Sequence, residues 1–258
     1  TSLENYTAME IYNKVIERLT PSPYATSKWD QVLVSGKRIF GVASDDMHQV
    51  NIDLGYGFTK VYMPEFTKQA YITSMKTGYF YSSQGPTMDV RPFELICDGM
   101  GTYHMGESAS CSAVRLIANL SSTNSSFNMA NVSLIKDGVV INVTMCSSQN
   151  CSFDYSENIP LSGYYRLQGI DSGNKQIWSN PIWVSKIALP VVMVINSPEN
   201  NSNISDYTPL LNVSLNQNTA LWYSLNGSAN VTLCNDCNSY FSYIVLKEGT
   251  SALRIYSN

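Results

Sequence analysis

Histidine is almost missing from this sequence: His48 and His104 are the two in 258 residues. A site that grips two or three metal ions largely through imidazole has little to draw on here. Charge is scarce as well. Asp, Glu, Lys and Arg make up 14% of the chain, against roughly 25% in ordinary soluble domains. The net charge of −4 argues against a nucleic-acid binder, which usually shows a basic face, so nucleic acid is not an expected partner. No apolar run is long enough to span a bilayer, and no signal-peptide or lipidation pattern is present. G-x-S-x-G is absent and GMG at 99–101 is too short for a phosphate loop, so nothing points to nucleophilic catalysis.

With so few charges, another polar group must solvate the surface. Asn, Ser and Thr do so, and many fall in the pattern N-x-[ST]: Asn5, Asn119, Asn124, Asn131, Asn142, Asn150, Asn200, Asn203, Asn212, Asn226 and Asn230. Roughly five such triplets would arise by chance from this content of Asn, Ser and Thr. A chain merely rich in Asn and Ser is one account. An exported chain coated with N-linked glycans, whose sugars take over the solubilising role of charge, is the sharper one. The opening TSLENYT, without Met, fits a leader removed on export and a chain processed from a larger precursor.

Six cysteines fall in three local couples, Cys97 with Cys111, Cys146 with Cys151, and Cys234 with Cys237. A zinc site at Cys234 and Cys237 would need two further ligands, and no second C-x-x-C or nearby His offers them. Short-range disulfides in an oxidising compartment are expected.

Residues 1–90 alternate strand and helix signals. TAMEIYN (7–13), RIFGVAS (38–44), FTKVYMP (58–64) and GYFYSSQGP (78–86) read as strands. TSKWDQVLVSG (26–36) and FTKQAYITSMKTG (66–78) read as amphipathic helices stopped by Gly36 and Gly78. This rhythm predicts a parallel, barrel-like or layered sheet. In 91–187 the helix signals stop, and MANVSLIKDGVVINVTMC predicts a hairpin about Asp137-Gly138; the block reads as an antiparallel β-sandwich. In 188–258, VVMVI, PLLNVSL, ALWYSL, ANVTL, YFSYIVL and SALRIY are six strand candidates. They suit an Ig-like sandwich that lacks its last strand, with Trp222 in the core.

MEIYN, KWDQVLVSGKRIFGVASDDMH and GYFYSSQGP, in that order over residues 8–90, resemble the C-terminal half of PHP-type metal-dependent phosphoesterases (polymerase and histidinol phosphatase). The later blocks look like the β-domain that trails such hydrolases and an immunoglobulin-like repeat of archaeal surface proteins. The resemblance implies an α+β multidomain chain: half a PHP-like α/β barrel (1–90), a β-sandwich (91–187) and an Ig-like sandwich (188–258). It also implies Asp46 and His48 as metal ligands and raises Glu10 as a third candidate. The family's His-x-His and its other early ligands have no counterpart here, so the site reads as degenerate. No cofactor beyond a single divalent metal is expected there. Calcium is a further candidate at the oxygen-rich loops DSGNKQ (171–176) and SPENNSNISD (197–206), although neither has EF-hand spacing.

Half a barrel and an unfinished sandwich would leave open sheet edges, which recruit strands from other chains. The sequence therefore predicts a non-catalytic subunit, extracellular or on the cell surface. Copies of it would assemble into a glycosylated filament, tube or surface layer. The alternatives are a fragment of a secreted phosphoesterase whose first half is on another chain, and a carbohydrate- or cell-binding module.

Overall fold

The computed structural model describes residues 6–20, 22–97, 100–158, 162–187 and 190–257. The chain divides into two compact units, Thr1–Ile187 and Ala188–Asn258. The first opens with β1 (Ala8–Asn13), α1 (Lys14–Leu19), α2 (Thr26–Val34), β2 (Phe40–Ser44), the single turn α3 (Val50–Asp53), β3 (Phe58–Val61), α4 (Lys68–Thr77) and β4 (Phe80–Ser83). Strands alone follow: β5 (Thr87–Cys97), β6 (Gly101–His104), β7 (Ser108–Cys111), β8 (Ala113–Ser121), β9 (Met129–Lys136), β10 (Val139–Met145), β11 (Asn150–Asn158), β12 (Gly163–Asp171), β13 (Gln176–Ser179) and β14 (Ile182–Lys186). Local chemistry sets several boundaries. Asn13 Oδ1 accepts from Ile16 N at 2.9 Å and starts α1. Gly78, at φ 83°, ends α4 in the left-handed region.

This unit is layered. A sheet of order β11-β8-β5-β6 packs on a larger one of order β10-β9-β12-β13-β4-β3, to which β14 and β7 are added. Phe93, Leu95, Val114 and Leu116 of the smaller sheet meet Val132, Leu134, Tyr165, Leu167 and Ile177 of the larger. Strand alternation sends Tyr164 and Trp178 to the opposite face, where they join Ile11, Tyr12, Trp29, Leu33 and Ala43 in a second core. The third layer is thus the β1–β2 pair with α2. A buried ion pair fastens α2: Arg166 donates to both oxygens of Asp30, at 2.7 and 2.6 Å, and Tyr164 Oη donates to Asp30 at 2.9 Å. Two disulfides, Cys97–Cys111 and Cys146–Cys151, each tie the smaller sheet to the larger or to the loop leaving β10.

The expected α+β chain led by half of a PHP-like α/β barrel is not what forms. The described residues make eighteen strands and four helices, and the protein is mostly β. β1 and β2 do pair in parallel. However, β3 and β4 pair antiparallel, and β4 continues antiparallel onto β13. Strands from both sides of residue 90 therefore share one sheet. The reason lies at the outer edge of β2. Gly41 N donates to Asn180 Oδ1 at 2.8 Å, and Ser82 Oγ donates to Gly41 O at 2.9 Å. Thr59 Oγ1 accepts from Ala43 N at 3.2 Å and donates to Ala43 O at 3.1 Å. Side chains satisfy the main-chain groups that the next barrel strand would need.

The second unit also departs from expectation. β15 (Met193–Ser197), β16 (Leu210–Leu225), β17 (Val231–Tyr243) and β18 (Leu253–Ser257) form one sheet of order β15-β16-β17, with β18 on β16. Among the described residues it is a single sheet, where a two-sheet Ig-like sandwich was expected. PLLNVSL and ALWYSL run on as β16, and ANVTL continues toward YFSYIVL as β17. Where turns were expected, the pairing slips between Ser214 and Thr219, and the Cys234–Cys237 disulfide bridges the facing irregularity in β17. The core is Leu211, Val213, Leu215, Leu221 and Ile244. Trp222 is only half-buried and stacks on Tyr256 at 6.2 Å.

Candidate functional site

β1 and β2 end side by side at Asn13 and Ser44. The C-terminal ends of parallel strands are where α/β folds gather ligand-binding loops, and GVASDDMH leaves β2 at this point. Its acids have separate tasks. Asp45 accepts from the backbone N–H groups of Gly55, Tyr56 and Gly57 at 2.6, 2.8 and 2.6 Å. Asp53 is fully buried and accepts from the N–H groups of His48 and Gln49, at 3.2 and 2.9 Å, and from Arg18 Nε at 3.1 Å. Burial works against its charge, but those N–H groups and then Arg18 outweigh it and hold the carboxyl below its usual range.

Asp46 sits in the left-handed region at φ 49°, with Oδ1 3.6 Å from His48 Nε2. Both side chains are largely open to solvent, at 47% and 67%. Asn13 Nδ2 donates to Asp46 at 3.3 Å and to Glu10 at 3.0 Å. Ser44 Oγ donates to the other Glu10 oxygen at 2.5 Å. The structure therefore brings Glu10, Asp46 and His48 to one edge. An amide with two protons to give separates the two acids, at the place where a cation bridging them would need lone pairs. Among the described residues, no three His, Cys, Asp or Glu side chains gather closely enough to hold a metal ion. The donor set does not fit a multi-metal phosphoesterase centre, and no reaction step is drawn through one. His104 lies on the other sheet, 3.6 Å from Glu94 and with its ring 5.0 Å from that of Tyr79.

Sequence reasoning missed Asn13, Ser44 and the Arg18–Asp53 pair. The signal for Asn13 was present, since Asn before KVIERL is a helix start. Beside them, Tyr12 Oη donates to Glu17 at 2.9 Å, and Lys14 Nζ donates to Glu17 at 2.7 Å. Burial pushes Glu17 upward, but the hydrogen bonds from Lys14 and Tyr12 prevail and hold it below the usual carboxylate range.

The other sequence candidates fall elsewhere. Asp171 is buried and accepts from Ser122 Oγ at 3.0 Å and from Gly173 N and Lys175 N at 2.9 Å each. Asp206 accepts from Thr208 N and Oγ1 at 2.9 Å. Both acids organise turns. A groove of about 470 Å³ runs past Leu33, Arg38, Ser108, Asp137 and Trp183. Arg38 lies 4.7 Å over the Trp183 ring, covering a face on which a sugar would stack. Asn5 lies outside the described residues. The other ten sequon asparagines, Asn119, Asn124, Asn131, Asn142, Asn150, Asn200, Asn203, Asn212, Asn226 and Asn230, are all exposed or half-exposed. In Asn124, Asn150, Asn212 and Asn226 it is Oδ1 that accepts a hydrogen bond. Nδ2, the atom that carries sugar, takes no part in those bonds.

Fold and site together define a disulfide-bonded, multilayered β protein, none of whose described helices is long and apolar enough to cross a membrane. Its three disulfides are the signature of an oxidising compartment. No family model matches the chain. It is 22% identical over 158 residues to an uncharacterised protein of Chlamydia pneumoniae, a match covering 56% of this chain and 25% of that protein. The chain thus spans about a quarter of that relative's length. Among solved structures it is similar to fibronectin(III)-like modules of Clostridium thermocellum CbhA, at 12% identity and TM-score 0.24 over 64% of this chain and 86% of that one. The secreted serine protease VesC of Vibrio cholerae gives 12% identity and TM-score 0.23 over 60% and 43%. A β-glucuronidase of Parabacteroides merdae gives 14% and 0.22 over 71% and 24%. At these TM-scores none of the likenesses carries an argument.

Proposed function

We propose that this chain is a non-catalytic, N-glycosylated structural subunit of an extracellular or cell-surface assembly, and that its partners are copies of itself. The observation that carries the reading is the use of acid in the 45–53 loop. Asp45 and Asp53 are committed to backbone N–H groups and to Arg18. That chemistry fixes a loop's shape and leaves Asp46 beside His48, with the Asn13 amide between it and Glu10. The low charge, the accessible sequons and the three disulfides support the extracellular setting. Electron microscopy of native material tests the assembly: regular polymers are expected, and scattered monomers would sink it. Treatment with an N-glycosidase should lower the mass by several glycans. The rival hydrolase reading draws on the convergence of Glu10, Asp46 and His48 at one strand edge. Tightly bound transition metal together with turnover of a chromogenic phosphate ester would favour it.

A further inference from the structure

Two sequons with the same spelling, Asn131-Val132-Ser133 in β9 and Asn212-Val213-Ser214 in β16, hold the same posture in their sheets. Val132 and Val213 are fully buried, each in the core of its own unit. Strand alternation therefore sends Asn131, Ser133, Asn212 and Ser214 to the opposite face. Both asparagines are half-exposed there. Asn196 Nδ2 donates to Asn212 Oδ1 at 3.2 Å and to Ser214 Oγ at 2.7 Å, which ties both side chains to that face.

Each asparagine looks across to an edge strand. Among the described residues, β10 and β17 are the end strands of their sheets. Asn131 is directly opposite Met145 of β10, and Asn212 is directly opposite Phe241 of β17. Met145 is the most exposed apolar residue of β10, at 76%, and Phe241, at 69%, shares that rank in β17 with Tyr243. Side chains directly opposite on one face have Cβ atoms about 5 Å apart. A sugar on Nδ2 of either asparagine reaches across that gap and lies over the apolar side chain. The C–H groups on one face of a pyranose suit the Met145 thioether and the electron-rich face of the Phe241 ring. Natural edges are usually guarded by Lys, Pro or inward charge. β10 has no charged residue and no Pro, and the single charge in β17 is Asp236.

We infer that the N-glycans at Asn131 and Asn212 are edge guards: each rests on the apolar side chain across from it and withholds that face from other chains. This rests on the glycosylation reading above and says what two of the sugars cover. In the attachment, Asn Nδ2 bonds to C1 of the first sugar. The phosphate of an activated, phosphate-linked glycosyl donor leaves with the electrons of its bond to C1, and an amide proton passes to solvent.

Hydroxyl-radical footprinting of the native, folded chain, read by peptide mass spectrometry before and after N-glycosidase treatment, tests this. The same spectra report which sequons carry sugar. Met145 and Phe241 should oxidise at least about threefold faster once the sugars are gone. Met47 and Phe66, exposed and outside the strands, should keep their rates. Ser133→Ala and Ser214→Ala keep each asparagine but abolish its sequon, and should give the same rise at Met145 and at Phe241 respectively, with the fold verified by circular dichroism. Rates that do not change when the sugars are lost would overturn the guard role and leave the glycosylation reading standing. Asn131 or Asn212 found bare while other sequons carry sugar would do the same. Sugar at no sequon would overturn both.

Discussion

Asp45, Asp46 and Asp53 share one loop segment, and their carboxylates meet three fates. Asp45 gathers three N–H groups, Asp53 is buried against Arg18, and Asp46 stands open beside His48. Removing an acceptor strands the donors it served, at a cost of about 1–3 kcal/mol where they cannot reach water. Asp45→Ala should therefore raise amide hydrogen exchange at Gly55, Tyr56 and Gly57 by about tenfold, near the lower end of that range because the site is partly wet. Exchange no faster than in the wild type would mean the loop holds itself. Asp53 adds a pH dependence. Its carboxyl is held below the ordinary value of 3.8, so its contribution is complete above that pH. The contribution is lost as pH falls from 3.8 through the lowered native value, because the unfolded chain binds the proton first. Acid titration followed at the His48 and Gln49 amides should show the loop releasing in that window. For Asp53→Asn the acid transition should be blunted.

At the scale of elements, the most consequential join is made by a side chain. Asn180, almost fully buried, accepts from Gly41 N and donates to Gly78 O at 3.2 Å and Phe80 O at 3.0 Å. It links the edge of β2, the end of α4 and the start of β4. Asn180→Leu keeps the volume but takes the side-chain partner from Gly41 N and Phe80 O and leaves Gly78 O with only its bond from Phe80 N, and should cost about 2–4 kcal/mol in urea unfolding. A loss under about 1 kcal/mol would show that water or a strand shift repairs the gap. This join also explains which elements could be read from sequence. The helices read at 26–36 and 66–78 form as Thr26–Val34 and Lys68–Thr77; Thr67 and Gly78 cap the second, whereas the first starts after Ala25 without a side-chain cap, and the hairpin at Asp137-Gly138 follows from its turn. The partners of β3 and β4 could not be read, because Asn180 and Thr59 sit far from β2 in the chain and look like ordinary loop and strand polar residues.

At the scale of the whole molecule, two units with separate cores set the unfolding behaviour. The second unit rests on Leu211, Val213, Leu215, Leu221 and Ile244. The first has a much larger core between its sheets and a further one beneath α2. Calorimetry should resolve two transitions, the earlier one from Ala188–Asn258, since buried apolar area governs stability. A single transition with equal calorimetric and van't Hoff enthalpies would refute the separation. The sequence by itself determined the sparse charge, the sequons, the local cysteine couples, and the glycine stops that end helices, because each of these acts over a few residues. Tertiary structure alone decided that the parallel pair goes no further and that the last block lies as one sheet. It also decided that Asp30 meets Arg166 and that Asn13 stands between Glu10 and Asp46. Those outcomes depend on which distant groups satisfy a buried N–H, C=O or carboxylate, and no local pattern records that choice.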